Sequence, residues 1–249
     1  MSTHSSKNDA KTPDIVTQEL KKGFQWTTAH AKLTIFVSAA FVALGIGYSV
    51  YKYLADQTEE KAQEAYYKVE EEYQKLQESA RPKPAAKPAK GEKAAAAEAP
   101  VVVDYEPLAQ KFATVTADHP GSRAALLAYL NFSEIKAKDK KYEEIIQSAD
   151  KIKVGSDLLS ALVLMQKGNA QADMKDCTKA LSTWEQILKM KSAQSIYPEV
   201  HLQQALCYES VQDTTHAEET YNKILAEAKD SSAAKSAEKY LRLMKTKVN

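Results

Sequence analysis

Residues 168–188 read GNAQADMKDCTKALSTWEQIL, and residues 205–225 read ALCYESVQDTTHAEETYNKIL. Both stretches contain a small residue, a second small residue 12 positions later, an aromatic residue 4 further on and an isoleucine 3 beyond that. These residues are Gly168, Ala180, Trp184 and Ile187 and, 37 positions later, Ala205, Ala217, Tyr221 and Ile224. Small residues allow two helices to cross closely, and the aromatic residue fills the gap to the next pair. The spacing therefore predicts a repeated helix hairpin.

Two earlier stretches carry weaker forms of this pattern. The stretch LAQKFATVTADHP, residues 108–120, has the same kind of ending, and Pro120 would stop its helix. Residues 122–153 form a degenerate copy, with apolar or small side chains at helical spacing in its second half. The pattern is typical of tetratricopeptide arrays. We therefore predict an all-α chain in which residues 105–249 form a tetratricopeptide-like array of antiparallel helix hairpins, an α-solenoid.

Helical periodicity and turn residues predict where the helices lie. The predicted helices are near 105–117, 122–137, 140–153, 157–171, 175–190, 197–211, 214–228 and 231–245. The first of these resembles the second helix of a hairpin and therefore needs a first helix upstream. Residues 52–79 can supply it, because Ala62, Tyr66, Val69, Tyr73 and Leu76 form one apolar stripe. The stripe by itself also fits a short coiled coil, but the missing first helix favours the hairpin.

A Pro/Ala/Lys-rich segment separates these two predicted helices. Residues 80–104 include RPKPAAKPAK, and residues 80–100 contain no apolar side chain larger than alanine. Such a composition cannot bury a core, so we predict a disordered linker. Lengthening a loop costs only about 0.6 kcal/mol per doubling, so this insertion is tolerable within the first hairpin.

A second apolar feature lies near the N-terminus. Residues 33–51 contain no charged side chain, and about 20 apolar residues suffice to cross a bilayer. The 32 largely polar residues before this run, and its length, distinguish it from a cleaved signal peptide. Lys21, Lys22 and Lys32 lie within 15 residues before the run, whereas Lys52 and Lys61, among several acidic residues, lie within 15 after it. The positive-inside rule then predicts a cytoplasmic tail over 1–32, a transmembrane helix over 33–51 and, in a bacterium, a periplasmic C-terminal domain.

Composition argues against several kinds of function. The chain has 34 basic and 33 acidic residues, so no overall charge attracts nucleic acid. No phosphate-binding glycine motif occurs, and the five histidines form no metal-ligand pattern. We expect no catalytic, cofactor-binding or metal site, and no enzyme activity.

The order of these parts resembles the YfgM-like family, ancillary subunits of the bacterial Sec translocon. The matching stretches are QELKKGFQWTTAHAKL, GIGYSVYKY, AQEAYYKVEEEY, LAQKFA and LLAYLNFSEIKAKDKKYEEII. The resemblance covers residues 15–245 except the linker 80–104. It implies a single-pass inner-membrane protein whose partners are the Sec translocon and a membrane-anchored periplasmic chaperone, and which assists exported proteins. An alternative within tetratricopeptide proteins is a coordinator of envelope structure, cell division or outer-membrane assembly.

By resemblance to tetratricopeptide arrays, the first helix of each hairpin lines a groove that binds partners. The residues implied are Leu162, Met165 and Asn169 in one repeat and Glu199, Leu202, Leu206 and Glu209 in the next. The alternative is that the apolar members belong to the core.

The two cysteines, Cys177 and Cys207, lie in predicted antiparallel helices. Residue 177 should face a position near 210, about 4.5 Å along the axis from residue 207 at 1.5 Å per residue. A periplasmic location favours a disulfide between the two cysteines. Two buried free thiols are the alternative.

Overall fold

The computed structural model describes residues 15–80 and 103–248. These residues form ten α-helices, one 3₁₀ helix and no β-strand. In chain order the elements are α1 Ile15–Ala29, α2 Ala31–Ala80, α3 Glu106–Asp118, α4 Arg123–Lys138, α5 Tyr142–Ala149, α6 Leu158–Asp173, α7 Cys177–Leu188, the 3₁₀ helix Lys191–Ile196, α8 Tyr197–Ser210, α9 Thr214–Glu227 and α10 Ser232–Val248. The predicted all-helical class is confirmed for this part of the chain. Most of the predicted linker 80–104, namely residues 81–102, lies outside the described residues.

Most predicted helices begin and end within about three residues of the observed ones, with one clear difference. The helix predicted over 140–153 ends at Ala149. Beyond it, the Lys153 N–H donates to the Pro120 carbonyl at 2.8 Å, a bond that a continuing helix would not make. A 3₁₀ helix, Lys191–Ile196, also occupies part of what the sequence predicted as a plain turn.

Three helix hairpins share one type of turn. Lys140, Lys175 and Gln212 follow α4, α6 and α8, and their φ values are 57°, 67° and 64°. After each of them the next backbone N–H bonds back to a carbonyl five residues earlier, at 2.9 Å in all three turns. This is the Schellman arrangement, which usually uses glycine. The three turns recur at almost the spacing of the sequence repeat.

Aspartate side chains cap the N-termini of three helices, α6, α7 and α9. The Asp176 carboxylate accepts the Lys179 N–H at 3.1 Å, and the Asp213 carboxylate accepts the His216 N–H at 3.2 Å. Asp157 caps α6 in the same way through the Ser160 N–H at 2.9 Å. These caps satisfy N–H groups that the first turn of a helix leaves unbonded.

The chain divides into two units, residues 1–56 and 57–249. The first contains α1 and the apolar half of α2. That half makes Ala31–Ala80 a candidate membrane-spanning helix by length and composition. No residue in its most apolar stretch of 18 residues is buried. This finding is compatible with the predicted anchor.

The second unit is built on three clusters of buried side chains. The first joins the C-terminal half of α2 to α3, α4 and α5. The second joins α6 and α7 to the 3₁₀ helix and α8, and the third joins α8, α9 and α10. Within the first cluster, the rings of Tyr66 and Tyr73 lie 6.2 and 5.8 Å from the ring of Phe112 on α3. The apolar stripe of residues 62–76 is therefore a packing face.

Candidate partner groove

The predicted groove residues lie on α6 and α8, each the first helix of a packed hairpin. Two open depressions occur beside helices of this kind. One, of about 570 Å³, lies between α4 and α6 and is lined by Leu130, Asn131, Glu134, Ala137, Lys138, Leu162 and Gln166. The other, of about 420 Å³, lies between α8 and α10 and is lined by Leu206, Glu209, Ser210, Tyr240 and Leu243. We call these two depressions the partner groove.

Three of the seven predicted residues line the partner groove. These are Leu162 in the first depression and Leu206 and Glu209 in the second. Met165 and Leu202 do not line either depression, and both pack against buried clusters. For these two residues the structure favours the core interpretation that the sequence left open.

The remaining two predicted residues, Glu199 and Asn169, line neither depression. Glu199 accepts a hydrogen bond from the Ser232 hydroxyl on α10 at 3.3 Å. Asn169 is half-buried, and its Oδ1 atom is buried without a hydrogen-bond partner in the described part of the chain. Glu209 accepts from the Tyr221 hydroxyl at 3.2 Å. Burial, together with the Glu209 charge, raises the pKa of Tyr221 above its ordinary value.

Sequence reasoning missed the residues that α4 and α10 contribute. Asn131, Glu134 and Lys138 lie along one face of α4, at the spacing of successive helical turns. The Asn131 amide donates to the Tyr66 hydroxyl at 3.1 Å and to Glu70 at 2.7 Å. This bonding ties one wall of the groove to α2. Because the copy over 122–153 is degenerate, its groove face could be found only by aligning α4 with α6 through their common turns.

A second polar site lies between α3, α4 and α5, beside a cavity of about 300 Å³. The Lys136 side chain is only 3% exposed, and its ammonium contacts Glu106 at 2.7 Å and Glu144 at 2.6 Å. Lys141 also reaches Glu106, at 2.9 Å. Lysine side chains are almost never fully buried unless their charge is paired. Packing of α3 and α5 against α4 covers Lys136, and its charge is paired.

These contacts shift the pKa values of the cluster. Hydrogen bonds from Lys136 and Lys141 lower the pKa of Glu106 to about 2, although burial opposes the shift. Burial alone would lower the pKa of Lys136, but its hydrogen bonds to Glu106 and Glu144 outweigh this and raise it. The cluster is therefore a charged network at neutral pH, with each buried charge paired.

The cysteines meet between α7 and α8. The structure joins Cys177 to Cys207 through a disulfide, with Cα atoms 5.6 Å apart. Ser210, the position that sequence geometry predicted to face residue 177, has its hydroxyl 3.2 Å from the Cys177 sulfur. Helix stagger thus closes the three-residue offset to Cys207.

The histidines are placed in local contacts. His201 is buried and lies 3.0 Å from the Gln204 side chain, and burial lowers its pKa. His216 is exposed and bonds to Asp213 at 2.7 Å. Within residues 15–80 and 103–248, no group of three or more His, Cys, Asp or Glu side chains is arranged to hold a metal ion.

No protein-family model matches the chain, and no curated protein is significantly similar to it.

Proposed function

We propose that this protein is a membrane-anchored, periplasmic scaffold for protein–protein interactions that binds an extended segment of its partner in the partner groove. The observation that carries this proposal is the pair of depressions beside equivalent helices, α4 with α6 and α8 with α10. Apolar and polar side chains together line both depressions. This is the usual composition of a surface that binds another protein.

Three features support a tetratricopeptide-like array within this proposal. The sequence spacing of residues 168–187 recurs 37 positions later. The three hairpins have the same left-handed turn after their first helix. Gly168 on α6 directly contacts the Trp184 indole on α7, as a small residue at a helix crossing should.

The apolar half of α2 and the cysteine pair support the proposed location. A long, exposed, uncharged helical segment is suited to lipid rather than to water. The larger number of lysines before it, three against two within 15 residues, favours a cytoplasmic N-terminus. A disulfide persists in an oxidising compartment such as the periplasm and is rare in the cytosol.

The proposed binding mechanism is burial of apolar side chains against the two depressions. Leu162 and Leu130 form the apolar part of the first, and Leu206, Tyr240 and Leu243 that of the second. Fully burying one aliphatic side chain contributes about 1.5–3 kcal/mol. A partner segment with apolar residues in both depressions would therefore bind through two separate contacts without any chemical step.

The resemblance to YfgM-like proteins supports a specific pair of partners, the Sec translocon and a membrane-anchored periplasmic chaperone. The alternative, coordination of envelope structure, cell division or outer-membrane assembly, keeps the same groove but changes the partners. The two functions therefore differ in which proteins the intact chain captures.

Co-purification of the full chain in mild detergent, followed by mass spectrometry, tests both. Translocon subunits should be enriched with the wild-type chain and lost from a Leu162→Asp/Leu206→Asp variant. Val211→Asp is the matched control, because Val211 is 56% exposed in a turn and lies outside both depressions. Enrichment of cell-division or outer-membrane assembly proteins would instead favour the alternative. Capture that survives the double substitution, with the helical signal intact, would exclude the groove.

A further inference from the structure

The helix before the membrane-spanning segment meets it at a bend. Backbone bonds of helical type, both 3.0 Å, link His30 to Trp26 and Thr34 to His30. The Thr34 hydroxyl, however, lies 3.4 Å from the Thr27 carbonyl, seven residues back, as well as 3.2 Å from the His30 carbonyl. Seven residues of straight helix span about 10 Å, which a threonine side chain cannot bridge. The axis must therefore bend at His30, with Thr27 and Thr34 on the inside.

The inside of this bend is also the apolar side of α1. Leu20 lies seven residues before Thr27, and Phe24 lies three before it, so both share its face. Leu20 is 66% and Phe24 is 72% exposed. Lys21 and Lys22 fall on the remaining surface of the helix. An amphipathic helix thus presents its apolar face toward the side from which α2 continues.

We propose that α1 lies along the cytoplasmic surface of the membrane, with Leu20 and Phe24 inserted at the boundary between lipid headgroups and acyl chains. This inference rests on the proposed anchor. If α2 enters the bilayer at the end of α1, the inside of the bend faces lipid, which would cover the exposed Leu20 and Phe24. Amphipathic helices of this kind bury their apolar face about 5–10 Å into the interface.

Two further groups fit this placement. Lys21 and Lys22 would lie near anionic phosphates, where each basic residue contributes about 1 kcal/mol to binding. Trp26, whose ring stacks on His30 with centroids 4.8 Å apart, would lie at headgroup level, where tryptophan is enriched. Helix α1 is therefore suited in particular to a membrane that contains anionic lipids.

The distance of Leu20 from the hydrocarbon core distinguishes this arrangement from a helix that continues straight into the cytoplasm. Leu20 precedes the start of the apolar run, Leu33, by 13 residues. A straight helix would hold Leu20 about 20 Å above the hydrocarbon, at 1.5 Å per residue. A surface helix would place it at the acyl boundary.

Tryptophan quenching by brominated lipids measures this depth in the full chain. The protein would be placed in nanodiscs containing anionic phosphatidylglycerol and brominated phosphatidylcholine, in a Trp26→Phe background. The buried Trp184 supplies a constant signal to be subtracted. The probes are Leu20→Trp, Gln25→Trp on the opposite face as matched control, and Phe41→Trp within the proposed span. We expect Leu20→Trp to lose about half of its fluorescence, as Phe41→Trp does, and Gln25→Trp to lose much less.

The outcomes separate this inference from the proposed anchor. If Phe41→Trp is quenched and Leu20→Trp is not, the anchor stands and the surface helix is excluded; its apolar face would then be open to a protein partner. Equal quenching of Leu20→Trp and Gln25→Trp would overturn the proposed orientation. If Phe41→Trp is not quenched, the anchor itself is wrong and the surface helix falls with it.

Discussion

At the scale of single residues, Gly168 packs directly against the indole of Trp184. A Cβ atom added to Gly168 would lie 2.3 Å from the indole Nε1 and 2.7 Å from Cδ1. The equivalent pair in the next repeat is Ala205 and Tyr221, both fully buried. The larger indole thus accompanies the smaller partner, which explains why one repeat has glycine where the other has alanine.

Gly168→Ala should lower the free energy of unfolding by about 1–3 kcal/mol, as overpacking usually does. Alanine favours a helix over glycine by about 1 kcal/mol. We expect the steric clash of the added methyl group with the rigid indole to outweigh this gain. Urea unfolding of the full chain in detergent, followed by circular dichroism, measures the change. Gly121→Ala is the control, since its added Cβ would meet only the Lys153 side chain at 3.7 Å. Equal stability of the two variants would contradict the close crossing.

The Lys136–Glu106 network should make stability depend on pH. Glu106 has its pKa lowered from 4.5 to about 2 by Lys136 and Lys141. The stabilisation is therefore present above pH 4.5 and is lost as the pH falls from 4.5 through about 2. Because the carboxylate side chain is 29% exposed, we expect a loss on the order of 1–2 kcal/mol rather than the full value of the shift.

Urea midpoints between pH 6 and pH 2.5 measure this dependence. Glu106→Gln should be less stable than the wild type at neutral pH. Its urea midpoint should also fall less between pH 4.5 and pH 2.5. Glu219→Gln, at an exposed position on α9, should leave this fall unchanged. A fall that Glu106→Gln leaves intact would mean that other carboxylates cause it.

At the scale of secondary-structure elements, two devices hold neighbouring helices together. The left-handed turns at Lys140, Lys175 and Gln212 join the two helices within each hairpin. The disulfide from Cys177 to Cys207 joins α7 to α8, the first helix of the next hairpin. The first device sets hairpin geometry, and the second links consecutive hairpins next to the helix that carries Leu206.

Lys175→Gly should stabilise the protein by about 0.5–1 kcal/mol. A residue with a side chain in the left-handed region costs about 1–2 kcal/mol, and glycine avoids most of that cost. Ser182→Gly, at an exposed position within α7, should instead destabilise by about 0.5–1 kcal/mol. Thermal unfolding of both variants compares them directly. A lower melting temperature for Lys175→Gly would be evidence against the left-handed turn.

Thiol labelling of the denatured, unreduced protein from the cell envelope should find no reactive thiol, and two after reduction. Reduction should also lower the free energy of unfolding by about 3–4 kcal/mol, because the bond closes a loop across a sequence separation of 30. A Cys177→Ser/Cys207→Ser variant is the control, and reductant should not change its stability. Two labelled thiols before reduction would disprove the bond.

At the scale of the whole molecule, the two units differ in whether their large apolar side chains are exposed or buried. The first unit exposes large apolar side chains along α2, including Phe36, Phe41 and Leu44. The second unit buries its apolar side chains in three clusters and pairs many of its surface charges. One exposed apolar helical segment and one unit with a buried core are compatible with the proposed tethered domain.

Protease added to spheroplasts should degrade the C-terminal unit and leave a short N-terminal fragment protected. The physical reason is the excess of basic residues before the apolar run, which favours retention of that end in the cytoplasm. An epitope tag at each end and immunoblotting follow the two parts, and lysed cells provide the control in which both tags are cleaved. Full protection of the C-terminal tag would reverse the orientation.

The sequence by itself determined the features that depend on neighbouring residues. The helices of the second unit follow from apolar spacing and from turn residues, and the candidate membrane-spanning helix follows from a run without charge. The hairpin crossing at Gly168 was also visible, because its spacing occurs twice. Such patterns depend on local periodicity and local composition, and both can be read from consecutive residues.

Only the tertiary structure decided which side chains meet across the chain. The burial of Lys136 depends on Glu106, 30 residues away, and on the way α3 and α5 cover α4. Leu206 lines a depression while Leu202, one helical turn before it, packs against the core, although both have the same chemistry. Burial and pairing are properties of surfaces that come together from distant segments, so no local pattern could specify them.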